Sequence, residues 1–315
     1  MITILNPAFL SLIVDDGRFG YGDIGVPPSS GLDRFALNMA RFILGNPENA
    51  PVLEIMGNGL SLLFSESVTF AVTGARVKAV LGDVTVEPWS AVRVPKGSVL
   101  KVPEVLEGFR YYVGFSGTLE VEPVMGSYTT NLECRFGGFR GRPLMKGDVL
   151  TLRDMCEPAG FQAIPDELIP PMKEPHILRV LPGPEADRFT PASVKFLSHR
   201  DEALFFRASA RLNRTGIRLE GPAVEFRDRV EQSIISEGTL PGTVQVPADG
   251  QPIINCVERT IGGYARLGTV IDADLDKLAH IRPFDRVILS VTDREEACRL
   301  SQARKDSIAF SIKKQ

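Results

Sequence analysis

Residues 16–46 read DGRFGYGDIGVPPSSGLDRFALNMARFILGN, a shaped loop delivering a single amphipathic helix. Gly17, Gly20, Gly22 and Gly25 permit left-handed backbone or close approach, and Pro27 and Pro28 stiffen the segment after them. Leu32, Phe35, Ala36, Met39, Phe42 and Ile43 then recur at helical spacing, which predicts a helix over 32–44 with one buried face. Ser29 or Ser30 is placed to cap it, and Asp33, three residues after Ser30, completes a capping-box pattern. An exposed helix start keeping Arg18, Asp23 and free backbone N–H groups suits an anion. An ordinary capped helix after a surface loop accounts for the same residues.

Outside this stretch, short β-rich segments dominate. The first half offers 67–72, 78–80, 91–94, 110–115 and 149–152; the second offers 177–181, 244–246, 252–257 and 287–291. Further helices are expected only after Thr190, around Asp274 to His280, and after Thr292, where Thr292-Asp293-Arg294-Glu295 has the capping-box form. Many strands with few helices indicate barrels or sandwiches, a mainly β fold. The stretch Cys156 to His176 carries five prolines in 21 residues and marks the domain boundary, giving domains over 1–165 and 172–315. A weak echo links Gly137-Gly138-Phe139 and Lys146-Gly147-Asp148-Val149 to Gly262-Gly263-Tyr264 and Phe284-Asp285-Arg286-Val287, as related tandem barrels or as chance similarity of turns.

Composition narrows the function classes. With 315 residues, 43% hydrophobic, 24% charged and a net charge of −3, the chain suits a soluble protein of about two domains with no electrostatic case for nucleic acid or an anionic membrane. MITILNPAFL lacks the basic start and apolar stretch of a secretory signal, so a cytoplasmic protein is expected. Cys134, Cys156, Cys256 and Cys298 form no CxxC pair, and His176, His199 and His280 form no HExxH cluster, so no metal site is expected. There is no GxSxG elbow and no GxxxxGK[ST] loop.

In the second half, Arg214-Thr215-Gly216-Ile217-Arg218-Leu219 sets two cations around a glycine, near Arg200, Arg207 and Arg211. Guanidiniums so spaced suit bidentate binding of carboxylate or phosphate; a solvated edge with surface ion pairs is the alternative. Gln245, on a strand beside the rigid Pro247, can orient an amide or urea-like group, and Asp249-Gly250 reads as a hairpin turn.

These motifs together resemble the allophanate hydrolase subunit 2 family, which is also called the biotin-dependent carboxyltransferase family and includes the C-type subunit of 5-oxoprolinase. The resemblance rests on the 17–46 loop and helix, Leu53-Glu54, Gly126-Ser127 with Thr129-Thr130, Phe136-Gly137-Gly138 to Gly141-Arg142-Pro143-Leu144, Lys146-Gly147-Asp148, Arg179-Val180 with Gly183-Pro184, 214–219, Gly242 to Pro252, and Gly262-Gly263-Tyr264. It runs in order over nearly the whole chain. It implies two tandem cyclophilin-like β-barrel domains with a cleft between them. It also implies one of two activities. The first is that of a subunit of an ATP-dependent hydrolase opening 5-oxoproline to glutamate with B-type and A-type partner subunits. The second is that of a carboxyltransferase moving a carboxyl group from carboxybiotin to urea, with biotin as cofactor only in that case. A non-catalytic regulatory partner subunit, as some relatives are described, is a third possibility. Leu144-Met145-Lys146-Gly147 does not match a biotin-carrier hairpin, which favours the hydrolase reading.

The candidate catalytic residues are Arg218, Arg214 and Gln245. Arg18, Ser29, Ser30, Gly31, Asp33, Pro247, Gly262, Gly263 and Tyr264 are the candidate substrate contacts. The arginines take carboxylate or phosphate, Gln245 with N–H groups of glycine turns holds a small amide or lactam, and the Ser29–Gly31 loop completes the anion site. ATP is implied by the family, with no site identifiable in this chain. The sequence departs from the family at Glu258-Arg259-Thr260-Ile261, where an acid and a Gln-Thr-Thr run are usual, at His280 for glutamine, and at Phe284 for glycine.

Overall fold

β1 (Ile2–Asn6) alternates, burying Ile2 and Ile4, β2 (Leu10–Val14) buries all but its first residue, β3 (Val52–Met56) is buried throughout and β4 (Leu60–Phe64) alternates again, burying Leu60, Leu62 and Phe64. A computed structural model describes residues 1–155, 163–198 and 205–313, which leaves Cys156, His199 and Arg200 outside the described residues. The chain divides into two compact units, Met1–Phe19 with Pro28–Pro170, and Gly20–Pro27 with Pro171–Gln315. The 16–46 loop is therefore split: its glycine-rich centre, Gly20–Pro27, groups with the second unit.

The first unit is a curled, branched antiparallel sheet. Two long strands form its spine, β5 (Val68–Leu81) and β8 (Val99–Phe115), with β6 (Val84–Val86) and β7 (Ala91–Val94) along the far side of β5. β4 pairs with the first part of β8 and β3 with its last part; β2 flanks β3, and β1 flanks β4. Short β9 (Thr118–Leu119), β10 (Val149–Leu150) and β11 (Leu152–Arg153) complete it, β10 on β1 and β11 on β9. The segments 67–72 and 78–80, expected as separate strands, are one continuous β5, since register shifts within the β5–β8 ladder absorb the twist that would otherwise break it.

Helix α1 (Arg34–Ile43) covers this sheet, burying Phe35, Ala36, Met39, Ala40 and Ile43. Thr73 Oγ1 donates to the Ala36 carbonyl at 2.7 Å. Gly114 of β8 allows the close approach, because an added Cβ would lie 2.8 Å from Leu44 Cδ1. The helix begins three residues later than a Ser30 capping box predicts: Asp33 itself is the N-cap, accepting from Ala36 N at 2.8 Å. Asp33 adopts extended backbone and so cannot be the third helical residue of a Ser30 box.

The second unit closes into a barrel. It contains β12 (His176–Pro182), β13 (Phe206–Leu212), β14 (Gly216–Glu220), β15 (Ser233–Gly238), β16 (Thr243–Val246), β17 (Ile253–Asn255), β18 (Ile261–Val270) and β19 (Arg286–Val291). The order β12-β19-β13-β14-β17-β16-β18 returns to β12 through a β12–β18 ladder, with β15 added outside on β18. Among the described strands of this unit only β12 and β19 run parallel. Helices α2 (Pro191–Ser198) and α3 (Arg294–Lys313) stand where expected, while 272–280 is 3-10 rather than α-helical. Asp293, not Thr292, caps α3, accepting from Glu296 N at 2.8 Å. The internal echo is not conformational: Gly137 and Gly138 turn at φ 69° and 52°, whereas Gly262 and Gly263 lie inside β18.

Candidate functional site

In the first unit, the loop before α1 is locked by buried acids. Asp15 accepts from Ser127 Oγ, Thr129 Oγ1 and Tyr128 N, each at 2.6 Å, and from Gly17 N at 2.8 Å. Glu54 accepts from Leu32 N at 2.9 Å and from the Tyr112 hydroxyl at 2.8 Å, and that hydroxyl accepts from Asp33 N. Burial beside Glu54 and Asp33 holds the Tyr112 hydroxyl well above the usual phenol range. Gly31 N donates to the Asp15 carbonyl. The N–H groups of Gly31, Leu32 and Asp33, expected to be open to an anion, are thus engaged within the protein.

The side chains expected at an exposed helix start are also inside. Arg18 is 1% exposed, its Nη2 donating to the Thr129 carbonyl and its guanidinium lying 4.7 Å from the Phe136 ring centre. Ser29, at φ 56°, accepts from Asn131 Nδ2 at 2.8 Å, and Ser30 is buried. Asp15, Glu54, Tyr112 and Asn131 escaped notice as site-shaping residues. The signal for them lay in the Leu53-Glu54 and Gly126-Ser127, Thr129-Thr130 motifs, whose hydroxyls and carboxylates meet this loop.

In the second unit, the two arginines of 214–219 go to different carboxylates. Arg214 is buried in an ion pair with buried Glu258, Nε to Oε1 at 2.8 Å, and its carbonyl accepts from Glu258 N. Arg218 points outward from β14, whose Ile217 and Leu219 face the core, and pairs with Asp249 at the surface. They do not form one guanidinium fork. Arg207 packs over Phe205 and donates to the Phe284 carbonyl. The hairpin reading of Asp249-Gly250 holds: Gly250 has φ 71° and donates to the Pro247 carbonyl between antiparallel β16 and β17.

Gln245 is 2% exposed in β16, and its Nε2 is buried with no hydrogen-bond partner among the described residues. Its carboxamide lies against Gly262 of β18: a Cβ added there would stand 2.7 Å from Cδ and 2.8 Å from Oε1, with Nε2 nearer still. Tyr264, two residues on, is partly exposed. The Glu258-Arg259-Thr260-Ile261 departure has structural content. Glu258 neutralises Arg214, Arg259 Nε donates to the Ile261 carbonyl at 2.7 Å, and Ile261 is exposed. A separate open depression lies at the ends of parallel β12 and β19 and the start of α3, lined by Leu181, Pro182, Val291, Thr292, Asp293 and Arg294, and holds none of the expected site residues.

Among the described residues no group of three or more His, Cys, Asp or Glu side chains is arranged to hold a metal, and no helix is long and apolar enough to cross a membrane. The described cysteines, Cys134, Cys256 and Cys298, form no disulfide with one another, and Cys256 is buried.

The carboxyltransferase-domain family, subdomain A and B, matches residues 24–290. The chain belongs to that family. It is 35% identical over 292 residues to the C-type subunit of 5-oxoprolinase from Escherichia coli (strain K12), covering 89% of this chain and 88% of that one. It is 31% identical over 291 residues to the urea amidolyase of Saccharomyces cerevisiae (strain ATCC 204508 / S288c), covering 86% of this chain and 15% of that protein. The crystal structure of the K. lactis urea amidolyase superposes with a TM-score of 0.90 at 27% identity, covering 98% of this chain and 20% of that one. The carboxyltransferase family thus joins a separate subunit and a stretch of a much longer chain on one mainly β fold with curled sheets.

Proposed function

We propose that this chain is a subunit of an ATP-dependent hydrolase that opens 5-oxoproline to glutamate together with B-type and A-type partner subunits. The observation that carries the reading is the nearly end-to-end match to a free-standing C-type subunit of 5-oxoprolinase. Opening a lactam builds negative charge on the carbonyl oxygen, so a preorganised donor aimed at that oxygen lowers the barrier, by about 3 kcal/mol for a single donor. Gln245 supplies such a donor, buried and without an acceptor for Nε2 among the described residues. Arg218, in an exposed pair with Asp249, can exchange that partner for the substrate carboxylate. Arg214, neutralised by Glu258, acts behind it by holding the turn into β14.

ATP enters this reading as a reactant of the complex. The N–H groups before α1, the natural place in this chain for a phosphate, are taken by Asp15, Glu54 and Tyr112, so no step is assigned here to a nucleotide. A second reading, carboxyl transfer from carboxybiotin to urea or a related amide, is favoured by the family description and the likeness to urea amidolyase. Copurification of the native complex and assay of ATP hydrolysis with 5-oxoproline against urea separates the two. The expected result is 5-oxoproline-dependent, avidin-insensitive hydrolysis that Arg218→Ala abolishes. Urea-dependent, avidin-sensitive turnover selects the carboxyltransferase, and full lactam-dependent activity in Arg218→Ala removes that residue from the site.

A further inference from the structure

Gly262 carries an unexplained requirement. Its φ lies outside the left-handed region, so its backbone does not demand glycine, and it sits within a strand paired to Glu237 of β15 rather than in a turn. The demand comes from across the sheet: the Gln245 carboxamide occupies the space where any side chain at 262 would stand. We infer that Gly262 is the positioning residue for Gln245, its missing side chain letting the carboxamide lie flat on β18 and present Nε2 to one oxygen acceptor of the ligand, a carbonyl or carboxylate oxygen.

Three observations bear on this. First, the terminal torsion of glutamine is broad, so over a bare Cα the carboxamide can turn to offer either its donor or its acceptor. A methyl at 262 removes that freedom by displacing the whole group. Second, Nε2 lacks a partner among the described residues, in a residue only 2% exposed. A buried donor left unpaired is costly, and a ligand that supplies the acceptor recovers that loss on binding. Third, the group that would clash is the far end of a flexible side chain, not backbone. Gly262→Ala therefore moves the donor without forcing the barrel apart. The inference rests on the reading of Gln245 as a ligand-facing donor.

The test uses a double-mutant cycle in the native complex together with amide spectra of the full chain. Gly262→Ala and Gln245→Ala are each expected to lower kcat/KM for 5-oxoproline about ten- to a hundredfold, and the double variant to be no worse than the poorer single, because both remove one interaction. Additive losses, or an unchanged kcat/KM in Gly262→Ala, overturn the inference. In 1H–15N spectra of the 15N-labelled full chain, the side-chain NH2 signal that disappears in Gln245→Ala is expected to shift on adding 5-oxoproline, urea or acetate, and in Gly262→Ala to stay still. Absence of any shift with all three in the wild-type chain overturns it too, and this measurement decides the matter if Gly262→Ala proves poorly folded. A complex inactive on 5-oxoproline whose Gln245 signal moves with urea sinks the substrate reading and keeps the inference; a lactam-hydrolysing complex indifferent to Gly262→Ala does the reverse.

Discussion

Phe284 stands at φ 72° with 63% of its surface exposed, two residues before β19. Left-handed backbone costs a residue with a Cβ about 1–2 kcal/mol, and little burial compensates here. That explains why the family resemblance places glycine at this position. Phe284→Gly is expected to raise stability by about 0.5–1 kcal/mol, the strain relieved less the extra unfolded-state entropy of glycine. A urea midpoint equal to or below that of the parent chain would refute it. Side chains of one type also diverge with burial. Arg214 with Glu258, both sealed in, is a structural pair whose single removal strands a charge, while Arg218 with Asp249 is a solvent-side pair free to exchange partners.

Helix α1 shows how a helix start can be recognised and still misplaced. Serines, proline and an acid ahead of a hydrophobic period correctly locate a helix near residue 33, but which side chain caps it depends on where the preceding backbone is anchored. Glu54 and Tyr112 hold Leu32 N and Asp33 N, which leaves Asp33 in extended conformation as the cap. Asp33→Ala is expected to cost about 1 kcal/mol, read as a lower urea midpoint; a midpoint unchanged by that substitution would return the cap to Ser30. At α3 a shift of one residue puts Asp293 in the capping role that the motif offers to Thr292. Strand β18 carries the complementary lesson: paired glycines suggest a turn, yet here they thin a strand so that a neighbour's side chain can lie across it.

Each unit is also tied by an arginine–carboxylate clasp that strengthens with ionisation. Bidentate Arg142 holds Asp148 below the usual aspartate range in the first unit. In the second, bidentate Arg266 holds Glu185 below the usual glutamate range. A carboxylate whose folded pKa is depressed contributes stability that is complete above its unfolded value and disappears as pH falls through the folded value. The difference in Tm between the parent chain and Glu185→Gln should therefore be largest near neutrality and shrink as pH falls below the usual glutamate range. A gap that persists unchanged into that acid range would show that the clasp stabilises through packing rather than charge.

The mainly β character, the places of α1, α2 and α3, the Asp249-Gly250 hairpin and the family were legible in the order of residues, because short β-rich runs, helical spacing and motif order are local properties, whereas the 3-10 form of 272–280 was not. Long-range contacts alone settled that the loop N–H groups are engaged, that Arg18 is buried and that Arg214 and Arg218 part company. They also set Gln245 on Gly262. Each of these depends on a partner far along the chain, Thr129 for Arg18 and Glu258 for Arg214, and a residue's charge or hydrogen-bonding capacity says what it can bind but not which group folding brings within reach.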